Sequence, residues 1–300
     1  MTDISIIILN YNTKDLLAQT LDSVRDRSSS TLHIETIVAD NGSTDGSLEL
    51  LKADYPWVKI VANGENLGFS AGNNKGVAFT TGRYVLFLNS DVQIIDSAIS
   101  FVYTEMEKNQ GVGIGTCYVE LASGGIDPAC HRGFPSPWRA FCYYTGLEKL
   151  SSGTALQTWF GGYHLLGLDL ARPHEIDACI GAFMMVRRSV GNLVGWWDES
   201  FFMYGEDLDF CYRVKEKGHR IMFYPDAKIL HFKHQSGLKK NKEATSMDVK
   251  VIRAKTTIAF YDAMKIFYHK HYMTIYPFWL TSLVLWIVEL KKKRALQKIE

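Results

Sequence analysis

Apolar positions come in short, nearly unbroken runs, and each run gives way to a polar turn and then to a stretch with apolar residues three or four apart. Runs at 4–9, 34–39, 58–62 and 84–88 read as buried strands. The intervening stretches 13–25, 47–53 and 70–80 read as helices, the first with Leu16, Leu17, Leu21 and Val24 on one side. Largely apolar strands separated by helices indicate a parallel sheet covered on both faces, a doubly wound α/β layout. Such sheets bind ligands beyond the carboxyl ends of their strands.

Polar residues gather at those ends. The first strand runs into Asn10-Tyr11-Asn12, and the second into Asp40-Asn41-Gly42-Ser43-Thr44-Asp45-Gly46. The third is followed by Asn63-Gly64-Glu65-Asn66-Leu67-Gly68-Phe69, and the fourth by Asn89-Ser90-Asp91. Turn chemistry explains Asn, Asp and Gly at any one strand end. Four such ends on one rim point to a ligand site. Gly111 to Gly115 imitates a dinucleotide fingerprint but lacks its spacing and reads as a fifth strand; no GKS or GKT phosphate loop occurs.

The middle, 123–175, loses periodicity and is rich in Gly, Ser, Pro and aromatics, including His131-Arg132-Gly133-Phe134-Pro135-Ser136-Pro137-Trp138. A long irregular insert is a functional loop or a disordered one. Order returns at 180–186. The segment from Phe201 to Asp209 then places three carboxylates, Glu206, Asp207 and Asp209, within four residues, opening a helix at 210–217. A fixed, desolvated carboxylate there would serve as a general base; acids at a helix N-terminus also simply favour the macrodipole. Two short strands, 220–224 and 227–232, lead to His231-Phe232-Lys233-His234. Two histidines without a third ligand do not make a zinc site.

With 300 residues the chain forms one large domain or a domain with an appendage, and 47% apolar content supports a real core. A net charge of +1 gives no field for nucleic acid. Five scattered cysteines without a CxxC pair fit a reducing compartment. Met1-Thr2-Asp3 leads directly into an apolar run too short for a secretory core, so a cytoplasmic catalytic part is expected. Toward the end, 238–242 is basic and 251–268 reads as an amphipathic helix with Phe260, Met264 and Phe267 on one side. The 19 mostly apolar residues 272–290 precede Lys291-Lys292-Lys293-Arg294 and are borderline for a span. An interfacial anchor at 272–294 on the cytoplasmic face of the inner membrane fits the aromatics and flanking cations better; a soluble dimerisation or lid helix is the alternative.

Four segments in this order, "SIIILNYN", "IVADNGSTDGS", "ENLGFSAGNNKG" with "YVLFLNSDV", and "GWWDESFFMYGEDLDFCYRVKEKGHRIMFYPDAKILH", resemble family-2 inverting nucleotide-sugar glycosyltransferases of GT-A fold, in their rhamnosyltransferase-like branch. The likeness covers about 3–237, with 1–120 as the nucleotide-binding half, 121–237 as the acceptor and catalytic half, and 238–300 as a helical extension. It implies a mostly parallel central sheet and a nucleotide-diphosphate sugar donor (dTDP-, UDP- or GDP-linked). Tyr11, Asn12, Asp40, Asn66, Gly68, Asn89, Ser90 and Asp91 would bind the donor, Gly68 by letting backbone approach it. The family's Asp-x-Asp reads Asn89-Ser90-Asp91 here, so the first acid is missing. The metal role passes to Asp91, with His231 as second ligand for Mn²⁺ or Mg²⁺; imidazole suits Mn²⁺ somewhat better. Asp207 would be the catalytic base and Glu206 its neighbour that orients the loop or acceptor, with Asp209 a helix-start acid. Gly181, Ala182, Trp196, Trp197, Phe202 and Tyr204 would form the acceptor wall. The acceptor would be a glycan or lipid-linked glycan of a bacterial surface polysaccharide, and self-association into a homo-oligomer stays open. Two alternatives stand beside this: a sugar-1-phosphate nucleotidyltransferase, whose Gly-rich, basic N-terminal loop is absent after Leu9, and a non-catalytic nucleotide- or glycan-binding scaffold, which Asn89 would favour.

Overall fold

The computed structural model describes residues 2–29, 31–233 and 246–299. The basic segment 238–242 and His234 lie outside the described residues. Strands β1 (Ile4–Asn10), β2 (Ile34–Asp40), β3 (Lys59–Ala62) and β4 (Tyr84–Asn89) pair in parallel in the order β3-β2-β1-β4. Helices α1 (Lys14–Arg27), α2 (Ser47–Asp54) and α3 (Gly68–Val77) make the crossovers. Ile4, Ile6, Ile7 and Ile8 on β1 are wholly buried, as a strand covered on both faces requires. With β2 on one side of β1 and β4 on the other, the strand order reverses at β1, the place where doubly wound sheets bind ligands beyond the carboxyl ends of their strands.

The second half contains β5 (Val92–Ile94), α4 (Ala98–Lys108), β6 (Val112–Leu121), β7 (His174–Ile176), β8 (Phe183–Arg187) and β9 (Arg220–His231). The sheet continues β4-β8-β6-β9-β5, with β7 also on β9. Here β6 and β9 are parallel, while β8 is antiparallel to both β4 and β6, and β5 and β7 are antiparallel to β9. The parallel layout thus holds for the first four strands and becomes mixed beyond them. The two short strands expected at 220–224 and 227–232 are one strand, β9. Its register against β6 shifts between Tyr224 and Lys228, where Pro225 has no N–H to donate to the ladder.

The insert is not irregular throughout. It holds α5 (Pro137–Thr145), α6 (Leu147–Ser151) and α7 (Gln157–Phe160). Helices of nine residues or fewer carry too few turns for periodicity to register. α5 has local signals: the Ser136 hydroxyl accepts from the Arg139 N–H, Pro137 occupies the first turn, and Gly146 at φ 82° ends it.

After α8 (Arg188–Val194) and α9 (Glu206–Glu216), the chain ends in α10 (Ser246–His271) and α11 (Phe278–Gln297). The apolar run 272–290 is therefore not one helix. Pro277 disfavours helical backbone in the residue before it, and α11 begins just after it. No helix among the described residues is long and apolar enough to cross a membrane. The buried face of α10 is Ala263, Phe267 and Tyr268, which together with Tyr272 just past the helix pack on Phe201. Phe267 of the expected stripe lies on this face, whereas Phe260 is exposed and meets Tyr204 edge-on at 5.8 Å.

Candidate functional site

The first polar rim is a hydrogen-bonded lattice. The Asn10 side chain donates to Asp40 at 2.7 Å, and the Thr13 hydroxyl bridges Asn10 at 2.6 Å and Ser90 at 2.8 Å. The other Asp40 oxygen accepts from the N–H groups of Gly42 at 3.1 Å and Ser43 at 2.8 Å. Asp40 is wholly buried and braces its own loop. Asn12, at φ 54°, locks the two loops together: its N–H donates to the Ser43 hydroxyl, and its side-chain oxygen accepts the Thr44 N–H. Tyr11 stands half exposed at the rim.

Across the rim, the Asn66 oxygen accepts the Gly68 N–H at 3.0 Å. Gly68 has φ 82°, and a Cβ there would come within 2.4 Å of the Phe202 carbonyl oxygen. The close backbone approach expected at Gly68 is thus to Phe202, whose carbonyl also accepts the Phe69 N–H at 2.7 Å. This contact ties the Asn66–Gly68 loop to the segment that precedes the carboxylates.

Asn89 ends β4, and its N–H donates to the Ala182 carbonyl at 3.3 Å. Two residues on, the Asp91 carboxylate lies 3.3 Å from His231 Nε2, both groups being buried. The strand pairing explains the meeting, since Val92 of β5 is opposite His231 of β9. Asp127 holds the other imidazole nitrogen at 3.2 Å and takes Lys233 Nζ at 2.9 Å. Burial alone would lower the His231 pKa, but hydrogen bonds with Asp127 and Asp91 push it up to about 9. Asp127 goes the other way: burial is outweighed by His231 and Lys233, which hold it well below the usual carboxylate range. With its pKa raised, His231 presents an N–H to each carboxylate, so a divalent ion would have to displace the Nε2 proton; Asp91 and the freed nitrogen would then be close enough for one cation to touch both, with Asp127 on the imidazole's far side. Asp127 faces away from that point, and among the described residues no group of three or more His, Cys, Asp or Glu forms a metal cage.

The carboxylates open α9. Gly205, at φ 77°, precedes the helix, and Glu206 and Asp207 fill its first turn, where the macrodipole favours negative charge. Both are 8% exposed. Asp207 Oδ2 receives Arg132 at 2.5 Å and Oδ1 receives the Leu208 N–H at 2.7 Å. The Arg132 main chain is itself anchored, donating to the Ala178 carbonyl and accepting from the Asp177 and Ala178 N–H groups. Glu206 has no such partner: Oε2 is buried without a hydrogen bond. Burial, and then the charge of Asp207, push its pKa up to about 8, which favours the protonated acid at neutral pH. Asp209 does more than start a helix. It is wholly buried, with Arg213 at 2.7 Å, Lys270 at 2.7 Å and His271 at 2.8 Å, and so pins the end of α10 to α9.

The expected acceptor wall divides. Trp197 is a core residue, 2% exposed and packed on Phe69, Phe87 and Phe210. Trp196 lies over Gly191 and stacks with Phe210. Gly181 and Ala182 are buried, Gly181 directly behind the Phe69 ring. These four face protein. Tyr204 (φ 70°) and Phe202 remain exposed beside the carboxylates.

Sequence reasoning passed over Arg132 and Asp127. Their partners are 75 and 104 residues away, beyond any local pattern. The one available signal for Arg132 was its place in an aromatic, Pro-rich run within the insert.

The family model "Glycosyl transferase family 2" matches residues 5–193, and "Glycosyl transferase family group 2" matches 166–288. An N-acetylglucosaminyl-diphospho-decaprenol L-rhamnosyltransferase of Mycobacterium tuberculosis is 28% identical over 218 residues, 68% of each chain. The rhamnosyltransferase WbbL of Escherichia coli is 24% identical over 245 residues, 76% of this chain and 83% of that one. A mannosyltransferase from Pyrobaculum calidifontis, solved with GDP-Man and Mn²⁺, superposes with a TM-score of 0.57 at 15% identity, over 99% of this chain and 72% of that one. GalNAc-T7, solved with UDP, GalNAc and Mn²⁺, gives 0.59 at 15% identity over 85% of this chain, which spans about half (48%) of that protein. The fold is that of GT-A glycosyltransferases. With more than half of its length matched, the chain belongs to glycosyl transferase family 2.

Proposed function

We propose that this glycosyltransferase is metal-dependent and inverting, and moves rhamnose or another hexose from a nucleotide-diphosphate donor to a hydroxyl of a lipid-linked glycan. The single observation that carries this is Asp207, a desolvated carboxylate held by Arg132 and a backbone N–H at the start of α9. The acceptor hydroxyl approaches Asp207, gives it the proton, and its oxygen forms the new bond to C1 of the sugar. The bond from C1 to the phosphate oxygen breaks on the opposite face, the electron pair leaves with the nucleotide diphosphate, and the anomeric centre inverts. Glu206, neutral at pH 7, donates a hydrogen bond that orients the acceptor or the loop rather than taking the proton. Asp91 and His231 would hold the divalent cation, Mn²⁺ or Mg²⁺, whose chemistry is to neutralise charge on the departing diphosphate. Donor phosphates and water would complete its shell.

Rhamnosyl relatives favour a deoxyhexose, and the decaprenol-linked substrate named for the mycobacterial relative favours a lipid-linked acceptor. A place at the cytoplasmic face of the membrane, with 272–294 resting on it, follows from such an acceptor. Membership of a glycosyltransferase family displaces the nucleotidyltransferase alternative.

Calorimetric titration with UDP, dTDP, GDP and CMP, each with and without Mn²⁺, tests the donor site. One nucleotide should bind, more tightly with metal, and the gain should vanish in Asp91→Ala. Binding of none by folded protein would return the chain to a non-catalytic scaffold.

A further inference from the structure

Two groups of exposed aromatics belong to different parts of the chain. On the insert, Trp138, Phe141 and Trp159 face outward, Trp159 with 74% of its surface exposed. On α11, Trp279, Leu283 and Trp286 recur at helical spacing, the tryptophans 67% and 62% exposed. A lone exposed apolar residue needs no explanation; six large ones on three helices do.

The structure joins the two groups. Trp138, Phe141 and Tyr144 follow one another at three-residue spacing along α5, with Trp138 and Phe141 stacked at 5.9 Å. The series ends under α11, where Lys291 Nζ lies 3.3 Å from the centre of the Tyr144 ring. Arg139 of α5 ties this surface to the segment after Arg132, its Nη1 donating to the Phe134 carbonyl at 3.3 Å. Phe134, two residues beyond the Arg132 that holds Asp207, packs on Tyr212 and on the cluster that docks α10.

We propose that α5, α7 and α11 form one docking surface for an anionic lipid bilayer, which brings the insert as well as the C-terminal helix to the membrane. This rests on the lipid-linked acceptor proposed above. Charge favours lipid over a second copy of the chain. Asp262 is taken up by Lys292 and Lys265, and Glu289 by Lys265, which leaves Lys291, Lys293 and Arg294 as excess cations beside the aromatics. A symmetric dimer through this face would gather the surplus cations of both copies into one interface with no acids to offset them, whereas aromatics at headgroup depth with flanking cations suit an anionic interface. The insert then does more than shape the acceptor side: it holds the carboxylates at a fixed height over the surface that carries the acceptor.

The test is co-sedimentation of the full chain with phosphatidylcholine vesicles, with and without phosphatidylglycerol. Wild type should bind the anionic vesicles. Phe141→Ser/Trp159→Ser and Trp279→Ser/Trp286→Ser should each lower the partition coefficient about tenfold or more. Lys293→Glu/Arg294→Glu, which disturbs no packing, should abolish the preference for phosphatidylglycerol. Unchanged melting temperatures would show that the variants fold. Transfer to a short detergent-soluble acceptor should persist in all three, so loss of docking is separable from failure of the proposed reaction. Wild-type binding by the insert variant would overturn the joint surface. A dimer that Trp286→Ser dissociates, without vesicle binding, would make the face an interface between copies.

Discussion

Glu206→Gln separates the two adjacent carboxylates by role. Glu206 is buried, Oε2 has no partner, and its pKa is pushed from the ordinary 4.5 to about 8 by burial and then by Asp207. A group whose pKa is raised by folding contributes its full stability below the ordinary value and loses it as pH rises through the folded value. The wild type should therefore weaken from about pH 4.5 to about 8. At ~1.36 kcal/mol for each unit of that interval, the loss is on the order of 5 kcal/mol. Glutamine mimics the neutral acid and removes this slope. At pH 9 the variant should melt higher than wild type, by roughly 10 °C at about 2 °C per kcal/mol for a chain of this size. Near pH 5 the two curves should nearly coincide. Turnover at pH 7 should stay within about tenfold, because the general base, whose loss typically costs 10²–10⁴, is not the group altered. A gap in melting temperature that does not change with pH would refute the neutral acid. A fall of about 10³ or more at pH 7 would make Glu206 the base.

Asp207→Asn should lower turnover by about 10²–10⁴ while sparing nucleotide affinity, read by steady-state rates beside calorimetry; a near wild-type rate would refute Asp207 as base. Gly68→Ala places a Cβ against the Phe202 carbonyl at positive φ and should destabilise by about 1–3 kcal/mol, seen in chemical unfolding. An unchanged midpoint would mean that the two loops are not in contact. Asp209→Asn removes the charge that Arg213, Lys270 and His271 share and should cost about 3 kcal/mol at pH 7. Burial acts to raise the Asp209 pKa, but His271, Arg213 and Lys270 depress it below the ordinary 3.8, so its contribution is present above that value and is lost as pH falls through the folded one. The variant and wild type should therefore converge in strong acid, and a gap that persists there would refute the ion-pair role.

The first four strands and three helices were legible because each signal lies within one short window: an apolar run, a turn, a 3.6-residue repeat. The rim of Asn, Asp and Gly followed from them, since parallel strands must end on the same side. The helix after the acids was legible but its start was not: the sequence places it at 210, whereas α9 begins at Glu206, with the acids inside its first turn behind Gly205 at positive φ. The insert was not, since α5 to α7 hold only a turn or two each. Trp197 misled because an aromatic in sequence beside a catalytic loop looks the same whether its ring turns outward or into the core.

By itself, then, the sequence determined the doubly wound half, its ligand rim, the order of motifs and the residue types that could carry a proton or touch a cation. Tertiary structure decided which of them act together. Arg132 reaches Asp207, Asp127 reaches His231, and His271 reaches Asp209 only because strands and helices far apart in sequence are packed side by side. It also decided that burial beside Asp207 raises the Glu206 pKa and that the last apolar run breaks at Pro277 into a turn and a helix. The physical reason is range. Propensity and periodicity act over a few residues. Burial, charge coupling and ion pairing act through space, and their strength is set by how much water the folded chain excludes.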